Sequence, residues 1–480
     1  MALKNNKYFR LIITILCIAL CFVGNFLPDI PNGLSSSALQ VLLIFLGCLI
    51  LWLTIGIDWP SLLCIFALGF VDELGFNTVL SKSFGNGTFI FLLFTFICTY
   101  ALSKTSILKR ITLAFIDNKI AKSSGLLFCL LFLLASLVIG LFTSPSVLFV
   151  VILAILNEIF AIANIQKGDK IAKALLIGLG FTISISSGMT PIAHVFPVLA
   201  LKAANLDIST FTYTLFAVPI GLVAFASMFV ILFILYRPNF DKLNNIDVSS
   251  IKEQLPPLGL KDLIVPLTFI FVILLWVLPD LYKNYSSFFN YLSGLTTAMP
   301  PLLGTLVLLV VRVDDKPIIK VDEAFKSVPW GSLVMCAATL VLGVALTNDA
   351  IGIQTFLQNT LSSNLSSLPY LALLVIFCFW AMVQTNISSN MVTATLVATV
   401  ASSVLVGLNM DTKLITICIC SIGMLASFAF ATPPSMPHIA IIAGSEYCDV
   451  KDVLMFGSIL GVVSVVATVL IGFPLGLLIF

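Results

Sequence analysis

Thr385, Ser388, Ser389 and Asn390 stand together in the stretch QTNISSNMVTAT (384–395), between the apolar runs LALLVIFCFWAMV and LVATVASSVLVGL. Hydroxyl and amide oxygens so grouped can surround a small cation, and the N–H groups freed by a helix break can hold a carboxylate. A second packet, Thr143, Ser144, Pro145 and Ser146, interrupts the apolar run 126–155 in the same way. Each packet is followed by a later break, SISSGMTPIAHVFPVLA (184–200) and ASFAFATPPSMPHIAIIAGS (426–445). The only two histidines, His194 and His438, fall one in each of these later breaks. An imidazole with an ordinary pKa of about 6.5 can couple a proton or bind a substrate; a hydrogen-bonded structural role is an equal reading of both. Pro433, Pro434 and Pro437 prevent a smooth helix, so Thr432 and Ser435 are expected to point oxygens into whatever cavity the break lines.

The elements that must position these groups are membrane helices. Of 480 residues, 60% are hydrophobic and 10% charged, and the mean hydropathy is +1.16. Runs such as 126–142, 216–236, 263–278 and 414–431 approach or reach the roughly 20 residues that a helix needs to cross a bilayer. The chain therefore reads as an all-α polytopic membrane protein, with roughly eleven complete transmembrane helices plus broken or re-entrant pieces. The period-2 alternation of a membrane β-barrel does not dominate. A net charge of +2, without a single basic patch, gives no sign of a nucleic-acid partner. The eleven cysteines lie mostly within apolar runs and lack metal-ligand spacing, so they read as small buried hydrophobes. The first apolar segment, 9–27, reads as a retained membrane helix rather than a cleaved signal. Lys4, Lys7 and Arg10, together with the lysine-rich connection 104–122, are expected on the cytoplasmic side.

The chain divides near its middle. The polar stretch 236–262, with its Pro-Pro pair, reads as a linker between a first repeat at 37–235 and a second at 263–480, after an N-terminal membrane helix at 1–36. The segments 87–115 and 331–359 resemble each other, and in both halves the first polar break follows at a similar distance, at Thr143 and Thr385. Matched interruptions of this kind mark an internally duplicated carrier with its site at the repeat interface. Ser and Thr also serve as packing residues in membrane helices; repetition is what favours a site. A channel would call for like filter segments around a pore. An enzyme would need a nucleophile with its base or paired acids, and no such constellation stands out.

These residues carry a family likeness. The chain resembles the divalent anion/sodium symporter family, which includes the INDY-type dicarboxylate and citrate carriers. The likeness runs from about Ala38 to the C-terminus and includes FLLFTFICTYALSKTSILKRI, VPWG (328–331), SSNM (388–391) and ATPPS (431–435). It implies an elevator-type transporter, commonly a homodimer, with an inverted repeat and two re-entrant hairpins in a bacterial inner or plasma membrane. It further implies sodium-coupled symport of a small dianion such as succinate, malate or fumarate. The alternatives are a sodium-independent organic anion exchanger and, further off, a channel. The family's Ser-Asn-Thr tip becomes Ser389-Asn390-Met391 in the second half and Ser144-Pro145-Ser146 in the first. By the same resemblance, Ser144, Ser146, Ser389, Asn390, Met391, Thr432, Pro433 and His194 are candidate substrate contacts. One Na⁺ site maps onto Thr385, Ser388, Asn390 and Ala431. The other maps onto Gly140, Ser144, Pro145 and Ala193, where two side-chain oxygens are replaced. His194 also stands where the first half departs from the Thr-Pro-Pro motif, and so is expected to add a contact of its own.

Overall fold

A helix that is apolar on every side has no face to offer water, so it must meet either other helices or lipid. The computed structural model, which describes residues 7–26, 28, 34–353, 356 and 368–480, shows both outcomes. Helix Leu260–Tyr282 leaves Leu263, Leu267, Ile270, Phe271 and Leu274 exposed along one stripe, the face of a lipid-contacting helix. Helix Lys170–Met189, in contrast, is buried continuously from Ala174 to Met189. The protein is all-α and polytopic: among the described residues, nine helices are long and apolar enough to span a bilayer, and six shorter apolar ones accompany them. The only regular strand pairing among these residues is the short antiparallel turn of Arg312–Val313 with Lys316–Pro317.

Four interrupted units dominate the interior. A first helical hairpin joins Gly125–Gly140 to Pro145–Ile162 through a tip at 141–144. A second joins Tyr370–Ile387 to Asn390–Gly407 through Ser388 and Ser389. A first interrupted helix runs Lys170–Met189, breaks, and resumes at Phe196–Ala203. The second runs Thr412–Ser427, breaks through a short turn at Pro433–Ser435, and resumes at Pro437–Ala443. The two interrupted helices touch closely where both lose regularity: a Cβ on Gly188 would stand 2.8 Å from Met424 O, so only glycine fits there.

The expected N-terminal helix is present as Lys7–Val23. The rest of that expected unit lies partly outside the described residues, as does much of 354–359 at the end of the internal likeness. All eleven cysteines are buried and free.

Candidate functional site

Each broken element leaves backbone groups that helix bonding cannot satisfy, at a cost of several kcal/mol apiece in hydrocarbon. Side chains at the breaks answer part of that demand. Thr190 donates its hydroxyl to Leu141 O at 2.6 Å, tying the first interrupted helix to the first tip. In the second half, Thr432 donates to Asn386 O, and Asn386 Oδ1 in turn accepts from the Ala431 N–H at 2.6 Å. Asn390 Nδ2 donates to Ser435 O at 2.9 Å. Ser435 donates back to the same turn, with Thr432 O 2.6 Å away.

The four breaks meet around one cavity of about 570 Å³. From the first half it is lined by Thr143, Ser144, Pro145 and Ser146 at the hairpin tip and by His194 at the later break. Ser388, Ser389, Asn390 and Met391 line it from the second tip, with Ser435 from the second break. Of the candidates read from sequence, Ser144, Ser146, His194, Ser388, Ser389, Asn390 and Met391 are thus brought together. Thr385, Ala431 and Thr432 are bonded at the junction between the second tip and the second break, outside this lining, and Pro433 opens the short turn of that break.

The electrostatics come from dipoles rather than formal charges. Helices Pro145–Ile162 and Asn390–Gly407 both begin at the cavity, with Ser144 and Ser389 as N-cap residues whose side chains do not cap. Pro145 has no N–H to offer, so the donors at the first end begin with Ser146 and at the second with Asn390, and both positive dipole ends face the cavity. Two polar atoms on the wall lack partners among the described residues: Thr143 Oγ1 and His194 Nδ1.

Behind the second tip lies a cluster of oxygens. Thr385 is fully buried, and its Oγ1 lies 2.6 Å from Ala426 O and 3.0 Å from Asn390 Oδ1. A hydroxyl has one proton and can serve one of these acceptors at a time. Three oxygens from three chain segments thus converge with a single proton between them, a donor set suited to a hard alkali cation. Among the described residues no group of three or more His, Cys, Asp or Glu could hold a metal ion.

The histidines separate. His438 is buried away from the cavity lining, with Nε2 2.9 Å from Ser184 Oγ and its ring beside Phe149. His194 lines the cavity and packs on Phe196 at 3.8 Å between ring centroids. Other parts of the wall have no site role assigned from the sequence: Phe96, Thr99 and Tyr100 from helix Gly87–Ser103 and Pro329, which fall within the family-like stretches, and Ser327 and Ser332 near the start of helix Trp330–Leu346. The spacing of 96, 99 and 100 is that of one helical face, a signal present in the sequence.

Long apolar helices gathered around a cavity of mixed hydroxyl and apolar lining at four helix breaks make this a multi-pass membrane transporter. The chain belongs to the sodium:sulfate symporter family, whose transmembrane region it matches over residues 5–480. This is a family of transporters, not of enzymes. The sodium-dependent dicarboxylate transporter SdcS of Staphylococcus saprophyticus is 25% identical across 98% of this chain and 92% of its own length. The sodium-dependent high-affinity dicarboxylate transporter 3 of Caenorhabditis elegans is 27% identical across 54% of this chain and 48% of its own. Human solute carrier family 13 member 4 is 23% identical across 48% and 39%.

Proposed function

We propose that the chain is a secondary active carrier that couples Na⁺ to the movement of a small dicarboxylate such as succinate, malate or fumarate. The observation that carries this reading is the convergence of two uncapped helix N-termini on one hydroxyl-lined cavity. Two such ends fit two carboxylates, each met by N–H donors and a positive dipole end. Ser144, Ser146 and His194 would hold the substrate from the first half, and Ser389, Asn390 and Met391 from the second. Thr432 and Pro433 would shape the second tip from behind. Na⁺ would sit at Thr385, Ser388 and Asn390, with the Ala431 backbone beside it. The bound cation supplies positive charge that favours the dianion.

The finer architecture rests on the chain's contacts. Both ends of the first hairpin reach the segment 242–244: the Gly125 N–H donates to Asn244 Oδ1 at 2.7 Å, and Lys242 donates to Asn164 O at 3.0 Å. The base of the second hairpin is held elsewhere, Tyr370 donating to Leu414 O at 2.7 Å. The two bases are thus anchored on different segments, which is compatible with two re-entrant hairpins entering from opposite faces in an inverted repeat over 37–235 and 263–480. An elevator motion and a homodimer complete the proposal on the family's pattern. Tyr100 and Ser327, on the cavity wall, also line a second recess with Lys320, Asp322, Glu323 and Lys326. That recess adjoins Lys104, at the head of the lysine-rich connection 104–122, which supports a cytoplasmic opening.

Anion exchange is a second reading, favoured by Gly140 and Pro145, which bring no side-chain oxygen to the first tip. Uptake of radiolabelled succinate into proteoliposomes separates the two, with an inward Na⁺ gradient compared against an equal K⁺ gradient and no internal substrate. Accumulation with Na⁺ alone is expected. Uptake that needs internal anion and ignores Na⁺ would establish exchange.

A further inference from the structure

The two hairpin tips share a register that their contacts make visible. Ser144 and Ser389 are the N-caps of the two second arms. Leu141 O and Asn386 O each accept a threonine hydroxyl from the following interrupted helix, from Thr190 and Thr432 respectively. The same spacing of 245 residues separates Leu141 from Asn386 and Ser144 from Ser389. Thr385 then corresponds to Gly140, and Asn390 to Pro145.

The second half's oxygen cluster is built on those two side chains, and the first half has neither. A replacement at 140 would collide with Ser186, whose Cβ would stand 2.7 Å from the added Cβ. Ser186 fills the space, but its hydroxyl turns to its own helix, donating to Ile183 O at 3.0 Å, whereas the Thr385 hydroxyl meets an oxygen of its own tip, Asn390 Oδ1. What the first half offers the cavity instead is a pair of unpartnered polar atoms, Thr143 Oγ1 and His194 Nδ1. Thr143 is 1% exposed. A buried hydroxyl with no acceptor or donor is costly unless a ligand completes it.

Resting on the symport reading above, we propose that the halves divide the work: a single Na⁺ accompanies each dicarboxylate, held by the second half alone, while the first half spends its polar groups on the anion through Thr143 and His194. Charge then has a direction. One Na⁺ with a dianion moves a net charge of minus one, so an inside-negative potential opposes uptake. A tenfold inward Na⁺ gradient offsets about 59 mV of such a potential. Beyond that the carrier runs outward unless the anion is more concentrated outside. A cell would then use it to release a dicarboxylate, or to take one up only where it is abundant.

The experiment is dual-label flux into proteoliposomes, ²²Na⁺ against ¹⁴C-succinate at a pH where succinate is a dianion, with the potential set by K⁺ and valinomycin. The expected ratio is one Na⁺ per succinate, with slower uptake at inside-negative than at inside-positive potential. A ratio of two or more, with uptake indifferent to or accelerated by inside-negative potential, would overturn the single-cation assignment and leave symport standing. Succinate flux without any ²²Na⁺ flux would overturn symport itself, and this inference with it. Ser186→Ala is expected to leave the ratio unchanged; a lowered ratio would place a coupling cation at Ser186 and overturn the assignment to the second half. Thr143→Val is expected to raise the succinate KM about tenfold while the Na⁺ concentration for half-maximal uptake holds. A shift in the Na⁺ requirement alone would place Thr143 with the cation and refute the division. Thr385→Ala is expected to abolish Na⁺-driven flux, and Thr385→Ser, which keeps the hydroxyl, to retain it.

Discussion

The Tyr100 hydroxyl donates to Glu323 Oε1 at 3.0 Å, joining the end of helix Gly87–Ser103 to the short helix Val321–Lys326 across the outer margin of the cavity. Lys104 closes the triangle, with Nζ 3.9 Å from Glu323 and 4.9 Å from the Tyr100 ring centroid. Lys104 and Glu323 are both well exposed, so their attraction is screened and adds little to stability. Their placement matters more for an anion on its way in. Glu323 is a negative charge at the entrance, partly masked by Lys104, while Lys320 and Lys326 line the same recess.

Glu323→Gln removes that charge and frees Lys104. The expected result is a two- to fivefold rise in kcat/KM for a dicarboxylate at low ionic strength, on the order of the steering that a single surface charge supplies. The gain should shrink toward nothing near 0.5 M salt, where charges further apart than a few ångströms are screened. Uptake rates across a salt series check this, and a gain insensitive to salt would mean that the residue acts by some other route.

The two histidines should respond in opposite ways. His438 bonds to Ser184 inside the protein, so His438→Ala leaves a buried hydroxyl without its partner and opens a cavity beside Phe149. A loss of roughly 2–4 kcal/mol of stability is expected, with substrate KM unchanged. His194→Gln, at the cavity wall, is expected to raise KM several-fold and leave the melting temperature where it was. Thermal denaturation in detergent beside uptake kinetics distinguishes the two. A KM effect at His438 without destabilisation would contradict the structural role.

How much of this was readable in advance depends on what kind of signal each residue leaves. Ser388, Ser389 and Asn390 announced themselves because small polar groups and a helix stop are conspicuous inside lipid-like sequence, and the structure places all three on the cavity. The same is true of Ser144 and Ser146. Thr99 and Tyr100 sit within an unbroken apolar span, where their spacing from Phe96 marks one helical face but not whether that face turns to a cavity or to a neighbour. Only tertiary packing decides that. Span counting suffered similarly: helices Gly125–Gly140 and Trp330–Leu346 are apolar yet fall short of a full crossing. Hydropathy therefore identified the protein as polytopic and all-α without fixing how deep each piece goes. The proline-rich break illustrates a third limit. Its Thr432 was expected to face the cavity, but it turns its hydroxyl to Asn386 O, whereas Ser435 does reach the lining.

On the face where the first hairpin has its base, Asp117 receives Lys122 at 2.7 Å and Lys252 at 3.3 Å, which ties the 236–262 connection to the turn before that hairpin. The hydrogen bond from Lys122 is the largest cause holding its carboxyl below the usual range, with Lys252 adding to it. A carboxyl lowered in the folded state contributes stability above its unfolded pKa of about 4 and loses it as pH falls through the lowered value. Amide exchange in 241–255 should therefore be constant from neutral pH down to about 4, after correction for the intrinsic rate, and accelerate below. Asp117→Asn should show the faster exchange already at neutral pH. Equal protection in the variant and the parent at pH 7 would mean that the ion pairs do not hold the connection.

Gly457 gives the sharpest packing test of the second break. On helix Val450–Ala467, a Cβ at this position would lie 2.6 Å from Ala431 Cα and 2.6 Å from both the carbonyl carbon and the oxygen of Phe430. These are backbone atoms and cannot rotate aside, so Gly457→Ala must push the break at 430–432 away from the helix or push the helix back. The break carries the Ala431 N–H bond to Asn386 and the Thr432 bond to the second hairpin tip, so displacement there loosens the cluster around Thr385 and Asn390. Gly461 is a matched control on the same helix: its added Cβ would meet Met382 Sδ at 3.1 Å, the end of a side chain that can yield. Gly457→Ala is expected to cost about 1–3 kcal/mol and to reduce Na⁺-driven uptake by more than tenfold, while Gly461→Ala stays within about twofold of the parent. Melting temperatures and initial rates of both variants at saturating Na⁺ provide the comparison. If Gly457→Ala transports normally, the break is not held by this helix, and the oxygen cluster would have to owe its geometry to the hairpin alone.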